Sequence, residues 1–183
     1  MTDIHAQSGT KKDVQAGVVQ GLDSGVWSTT HTLFLGEYTH KMDTKGRLAL
    51  PAKFRAKLQK EGAVVTRGNE HCLYLYSIEA WKPLAEKLAK LPSISNPAAR
   101  KVQRELLGGA TPVTPDRQGR ILLSNELRKH AGLVSDESQT APIEAVVVGL
   151  YDRVEIWLTD RWERQRGESD LDSLGPELEK LGI

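Results

Sequence analysis

Asp43-Thr44-Lys45-Gly46-Arg47-Leu48-Ala49-Leu50-Pro51-Ala52-Lys53-Phe54-Arg55 returns 73 residues later as Asp116-Arg117-Gln118-Gly119-Arg120-Ile121-Leu122-Leu123-Ser124-Asn125-Glu126-Leu127-Arg128. Asp, Gly, Arg, three apolar positions and a closing Arg hold the same relative places in both. Two further blocks follow in the same order. Ala63-Val64-Val65 matches Ala145-Val146-Val147, and Leu73-Tyr74-Leu75-Tyr76 lines up with Val154-Glu155-Ile156-Trp157. Trp81 then falls on Trp162. The offset widens to 82 at the Ala-Val-Val run and settles at 81, which places a polar, loop-like insertion at Gly132–Pro142 in the second copy. Three ordered blocks imply a duplication.

Each copy spans about 50 residues, too few to bury a good core alone. Two related β-hairpin units would complete one another's core. The expected fold is therefore β-rich α+β: one pseudo-twofold barrel with short helices attached. Along the chain, Phe34 to Met42 has strand character, Asp43–Gly46 is a turn, and Arg47 to Leu50 alternates as the return strand. Pro51 opens a short helix to Leu58. Ala63–Thr66 and Cys72–Tyr76 form a second strand pair around Arg67–Glu70. Ser77 is a natural N-cap for a helix carrying Trp81, Leu84, Leu88 and Leu91, and Asn96 caps the next, which runs to Gly108. The second copy repeats this order and ends in a helix near Thr159–Arg166, with one more short helix at Pro176–Leu181.

The organisation expected from this pattern has five parts. Residues 1–32 are a disordered N-terminal extension, poor in large apolar groups. Residues 33–82 are the first repeat, 83–104 a helical connector, 105–166 the second repeat and 167–183 an acidic C-terminal tail.

The net charge of +1 conceals an uneven distribution. Residues 33–82 and 83–104 each carry +4, whereas 105–162 and 163–183 each carry −3. Within 41–60 seven Lys/Arg accompany a single acid, Asp43. Such density creates local positive potential on a nearly neutral chain. No apolar run is long enough for a membrane helix, and no signal-peptide pattern opens the chain. Cys72 is the only cysteine, which excludes an intrachain disulfide and suits a reducing, cytoplasmic setting.

Reaction machinery is not legible. The chain lacks Gly-x-Ser-x-Gly, Gly-x-x-x-x-Gly-Lys, His-Glu-x-x-His and Gly-x-Gly-x-x-Gly. His71 beside Cys72 reads as a strand-end His next to a buried thiol rather than a metal or thiol–imidazole pair. Asp43 and Asp116 each read as the Asx cap of their own turn. No catalytic residue, metal, cofactor or small-molecule substrate is expected.

The Gly-Arg turn offers other chemistry. A tight turn projects Lys45 and Arg47 outward. An Arg fork matches guanine O6/N7 or a phosphate, and a β-ribbon fits the major groove. Asp43 could fix the angle of the guanidinium. Equally, an Asp–Arg pair within the turn could serve only to stabilise the hairpin.

Phe34-Leu35-Gly36-Glu37-Tyr38, the turn Asp43-x-Lys45-Gly46-Arg47, and Leu50-Pro51-Ala52-Lys53-Phe54-Arg55 together resemble the first repeat of the MraZ family. Asp116-x-x-Gly119-Arg120-Ile121 resembles the second. The resemblance covers about residues 33–165. It implies a duplicated AbrB-type swapped-hairpin fold, a ring-shaped homo-oligomer, and transcriptional regulation of the bacterial division and cell-wall gene cluster. The family's Asp-x-x-x-Arg pattern falls on Asp43/Arg47 and Asp116/Arg120. Double-stranded DNA, as short direct repeats in a promoter, is then the expected partner of a cytoplasmic, nucleoid-associated protein. Arg47 and Arg120 would read base edges from the turns closed by Gly46 and Gly119. Lys41, Lys45, Lys53, Arg55 and Arg117 would contact phosphates or edge positions. Two departures stand out: Gln118 replaces Lys45, and Ser124 replaces Pro51. With its −3 balance, the second repeat is expected to contact DNA less. Family-like sequence begins at Leu33, which makes Leu33 a candidate alternative start. The rival expectation is an antitoxin-like protein–protein module of the same fold.

Overall fold

The computed structural model describes residues 33–134, 142–167 and 174–182. The expected extension at 1–32, most of the insertion in the second copy and residues 168–173 of the acidic tail lie outside the described residues.

The first copy forms β1 (Phe34–Met42), β2 (Arg47–Ala49), α1 (Ala52–Glu61), β3 (Ala63–Arg67), β4 (Leu73–Ser77) and α2 (Ile78–Ala89). After α3 (Pro97–Leu106), the second copy gives β5 (Thr111–Val113), β6 (Arg120–Leu122), α4 (Asn125–Ala131), β7 (Ile143–Tyr151), β8 (Arg153–Leu158) and α5 (Thr159–Gly167). A short α6 covers Gly175–Leu181. Local chemistry sets the helix starts. Ser77 Oγ accepts from Ala80 N at 3.2 Å, Asn96 Oδ1 from Ala98 N at 2.9 Å, and Ser124 Oγ from Leu127 N at 3.3 Å. Each satisfies an N–H that the helix itself leaves unpaired. Pro51 sits one place earlier than its sequence suggests, as the N-cap of α1, and that helix runs on past Leu58 to Glu61.

Among the described residues eight strands make one antiparallel sheet in the order β5-β3-β4-β8-β7-β1-β2-β6. The local hairpin suggested by Phe34–Met42 and Arg47–Leu50 is present but short: Asp43 N donates to Arg47 O at 2.9 Å, and β1 meets β2 at Met42↔Leu48. On its other edge β1 pairs along its whole length with β7 of the other copy, from Phe34↔Tyr151 to Met42↔Ile143. The second copy does the same in reverse, β5 pairing with β3 from Ala63↔Val113 to Val65↔Thr111. This is the swap: each copy lends its first strand to the other.

The register carries the duplication's symmetry. Leu48 pairs with Ile121, its own repeat equivalent, and Tyr74 pairs with Glu155, likewise its equivalent. A local twofold therefore passes through both pairs and relates the halves of a nearly closed barrel. Closure fails at one seam, where β5 and β6 do not pair. Pro112 lies within β5 and Pro115 just after it. Proline has no N–H to give a ladder, so this strand stays at three residues.

Alternate residues of both copies fill one core. Leu48, Leu50, Phe54, Val65, Leu73 and Leu75 meet Ile121, Leu123, Leu127, Val147, Val154 and Ile156 in a single buried cluster. Full burial of one such side chain stabilises by about 1.5–3 kcal/mol, and here it is obtained only across the two copies. Aromatic pairs repeat as well. Tyr76–Trp81 and Trp157–Trp162 both have ring centroids 5.7 Å apart. Among the described residues no helix is long and apolar enough to cross a membrane.

Candidate nucleic-acid interface

The two Gly-Arg turns are built from the same hydrogen bonds. In the first, Asp43 Oδ1 accepts from Lys45 N at 3.0 Å and from Arg47 N at 2.9 Å. Asp43 Oδ2 accepts from Arg47 Nε at 2.7 Å. In the second, Asp116 Oδ1 accepts from Gln118 N and Arg120 N, both at 2.9 Å, and Oδ2 from Arg120 Nε at 2.9 Å. Gly46 N donates to Asp43 O, and Gly119 N to Asp116 O. Gly46 and Gly119 have φ of +79° and +74°, a region that L side chains avoid. Each Asp is thus an Asx cap and an arginine anchor at once, as its position in the motif suggests. Backbone donation from Arg47 N is the main reason the Asp43 carboxyl lies below the usual aspartate range, and Arg120 N does the same for Asp116.

Because β2 pairs with β6, the turns lie side by side. Arg120 Nη1 comes within 3.7 Å of Asp43 Oδ2, so the second turn's arginine faces both carboxylates. Crossed backbone bonds tie the two further: Leu50 N donates to Gly119 O at 2.9 Å and Leu123 N to Gly46 O at 3.0 Å. The two turns form one composite surface rather than two separate tips.

The remaining expected residues surround it unevenly. Lys45 and Arg117 are exposed within the turns, and Lys53 is exposed on the first turn of α1. Lys41 is exposed on β1, with its ammonium 3.7 Å from Glu144. Arg47 and Arg120 are not fully free, with side chains 35% and 25% exposed. An alanine at either position therefore removes a structural ion pair as well as an exposed cation. Arg55 is half-buried, and its Nε donates to Leu50 O at 2.8 Å. Its side chain lies against Gly119.

One residue absent from the expected set shares this environment. Arg128 is the repeat equivalent of Arg55 and lies against Gly46, where an added Cβ would stand 2.8 Å from its Nε. That Nε is buried without a hydrogen-bond partner. Arg128 also lines a cavity of about 490 Å³ at the open seam, with Lys45, Pro112, Leu122 and Ser124. The closing Arg of the repeated motif was the signal for it.

Away from the turns, the Cys72 thiol is buried and pushed up to about 12, chiefly by that burial. A thiol in that state is not a nucleophile near neutral pH. His71 and His130 lie with ring centroids 5.6 Å apart. Among the described residues no group of three or more His, Cys, Asp or Glu side chains is arranged to hold a metal.

Comparison with known proteins follows the same duplication. The profile of the family described as "MraZ protein, putative antitoxin-like" matches twice, over residues 33–105 and 106–179. Each match contains one turn. A "Transcriptional regulator MraZ" of Thermomicrobium roseum is 50% identical over 133 residues, covering 73% of this chain and 87% of the relative. Its namesake in Alkaliphilus metalliredigens is 40% identical over 153 residues, covering 82% of this chain and 100% of the relative. One from Bifidobacterium longum is 42% identical over 153 residues, covering 80% and 95%. With a twofold family match that follows the swapped repeats, and relatives covered over nearly their full length, the chain belongs to the MraZ family.

Proposed function

We propose that the chain is a sequence-specific, DNA-binding transcriptional regulator whose reading surface is the joined pair of Gly-Arg turns. The observation that carries this is the 3.7 Å approach of Arg120 to Asp43. It puts two carboxylate-anchored arginines on one surface, each with its Nε held and its orientation set. A fixed fork loses little entropy on docking against guanine or phosphate. The names of the relatives favour the same reading. In it, Arg47 and Arg120 contact base edges, while Lys41, Lys45, Lys53 and Arg117 neutralise phosphates. Arg55 serves mainly beneath the second turn.

So small a surface binds one site weakly, so regulation requires several chains together. The resemblance to MraZ proteins favours a cytoplasmic, nucleoid-associated ring acting on promoter direct repeats of the division and cell-wall gene cluster. A second reading, an antitoxin-like protein–protein module, is favoured by the family description.

The test is a gel shift at physiological salt with the chain's own upstream DNA, using probes that carry one, two or three motif copies. Arg47→Ala should cost about 1–3 kcal/mol of specific binding, read beside its unfolding curve because Arg47 is half-buried. Retention of full specificity by that variant would remove the turn from the site. A monomer that binds one copy as tightly as three would remove the ring.

A further inference from the structure

We infer that the two turns are braced crosswise: Arg128 of the second repeat positions the first turn, and Arg55 of the first repeat positions the second. These are positioning residues, and for DNA binding the inference rests on the reading proposed above. Four observations carry it. First, each arginine lies against the positive-φ glycine of the other repeat's turn, Arg128 on Gly46 and Arg55 on Gly119. Secondly, the backbone follows the same crossing, since Leu123 N donates to Gly46 O and Leu50 N to Gly119 O. Thirdly, the two arginines are repeat equivalents, so the contact is one device used twice under the local twofold. Fourthly, both glycines are buried whereas the residues just before them, Lys45 and Gln118, are exposed. The backbone at the glycine is therefore the part of each turn that rests on the protein.

Glycine has two roles in this arrangement. It supplies the left-handed backbone, and it leaves room for an arginine side chain to lie against it. A side chain there would meet the arginine at Gly46 and Gly119 alike. The arginine in turn limits where the glycine can go, and the next residue in sequence is Arg47 or Arg120. A brace on the glycine is thus a brace on the reading arginine.

The braces differ in one respect. Arg55 Nε is fixed on Leu50 O at 2.8 Å. Arg128 Nε has no partner, and Arg128 lines the seam cavity together with Lys45. Each turn receives one crossed backbone hydrogen bond, but the arginine against the second turn is itself anchored through its Nε, whereas the arginine against the first is not.

The experiment is hydrogen exchange on the full chain, followed by mass spectrometry of peptides covering 43–47 and 116–120. Arg128→Met and Arg55→Met keep the apolar stem and remove the guanidinium, and unfolding midpoints check that each variant remains folded. Arg128→Met should raise exchange in 43–47 by roughly three- to tenfold, the scale of a single hydrogen-bond-sized interaction, and leave 116–120 within about twofold. Arg55→Met should do the reverse. Equal change in both turns, or a change in each arginine's own turn, overturns the inference. Binding to the upstream DNA supplies a separate arm. Arg128→Met should be more strongly non-additive with Arg47→Ala than with Arg120→Ala. Crosswise exchange without DNA binding leaves the brace standing and removes the DNA reading. DNA binding without crosswise exchange removes the brace alone.

Discussion

The turn at 43–47 and the turn at 116–120 share a hydrogen-bond frame and differ in nearly everything around it. Both carboxylates accept two backbone N–H groups and one arginine Nε within 2.7–3.0 Å. The first turn carries Lys45 where the second carries Gln118, and it follows a nine-residue strand where the second follows one of three. Asp43 also faces Arg120, and no equivalent ion pair of Arg47 with Asp116 occurs among the described residues. The difference shows which part of the motif is mechanical. Asp, Gly and Arg keep the same geometry in both copies because they build the turn. Charge differs at Lys45 and Gln118, and strand length differs where Pro112 and Pro115 stand in the second copy.

The largest expected effect breaks the shared part. Gly46→Ala and Gly119→Ala should each cost about 1–2 kcal/mol through the left-handed backbone alone, since their φ values are +79° and +74°. The added methyl also meets Arg128 or Arg55. Urea midpoints should fall for both variants, and at least as far for Gly119→Ala, whose added methyl crowds the anchored Arg55 more closely than that of Gly46→Ala crowds Arg128. If one glycine tolerates alanine, the two turns are not mechanically equivalent and the comparison fails.

Much of this frame was legible in the sequence, and the misses have physical reasons. Asp43 and Asp116 read correctly as Asx caps because that bond spans only two to four residues. Ser77 and Asn96 read correctly as N-caps for the same reason. The partner of β1 was not legible. A strand pattern in Phe34–Met42 marks extended backbone, but says nothing about which neighbour takes its hydrogen bonds. Here β7 takes them, from the far half of the chain. The exposure expected for Arg47 was too high, because a local motif does not reveal that β2 runs against β6. Arg128 closes the repeated motif, but nothing in the sequence places it beside the first turn. Its contact with Gly46 appears only when the two copies are crossed in space.

A smaller effect should separate the two carboxylates by pH. Each has its pKa lowered on folding, chiefly by the backbone N–H of Arg47 or Arg120. A depressed carboxylate contributes stability that is fully present above the ordinary aspartate range. That stability is lost as pH falls from there through the lower folded value. Denaturant midpoints of the parent chain should therefore decline below about pH 4. Asp43→Asn should flatten this decline more than Asp116→Asn, because Asp43 also faces Arg120. An equal or reversed ranking would mean that the 3.7 Å approach contributes nothing to the coupling of the turns.

The smallest effect concerns the charge that distinguishes the turns, and it sharpens the comparison on the proposed DNA-binding reading. Binding that neutralises phosphates releases counterions, so log K falls linearly with log salt, by about 0.9 for each phosphate contact. Lys45 and Lys53 are exposed cations on the first-repeat side. In the second repeat Gln118 and Glu126 stand at the equivalent positions, 73 residues later. Only Arg117 supplies an exposed turn cation there. Lys45→Gln with Lys53→Gln should therefore reduce the salt slope by up to about 1.8, the value for two phosphates left unneutralised. Arg117→Gln should reduce it by about 0.9 or less. None of the three makes an ion pair within 4.0 Å among the described residues, so folding stability should hardly move. Anisotropy titrations across a series of salt concentrations give both slopes. If Arg117→Gln reduces the slope as much as the double variant does, the second turn meets phosphate as fully as the first. The uneven charge of the halves would then be a property of their outer surfaces alone.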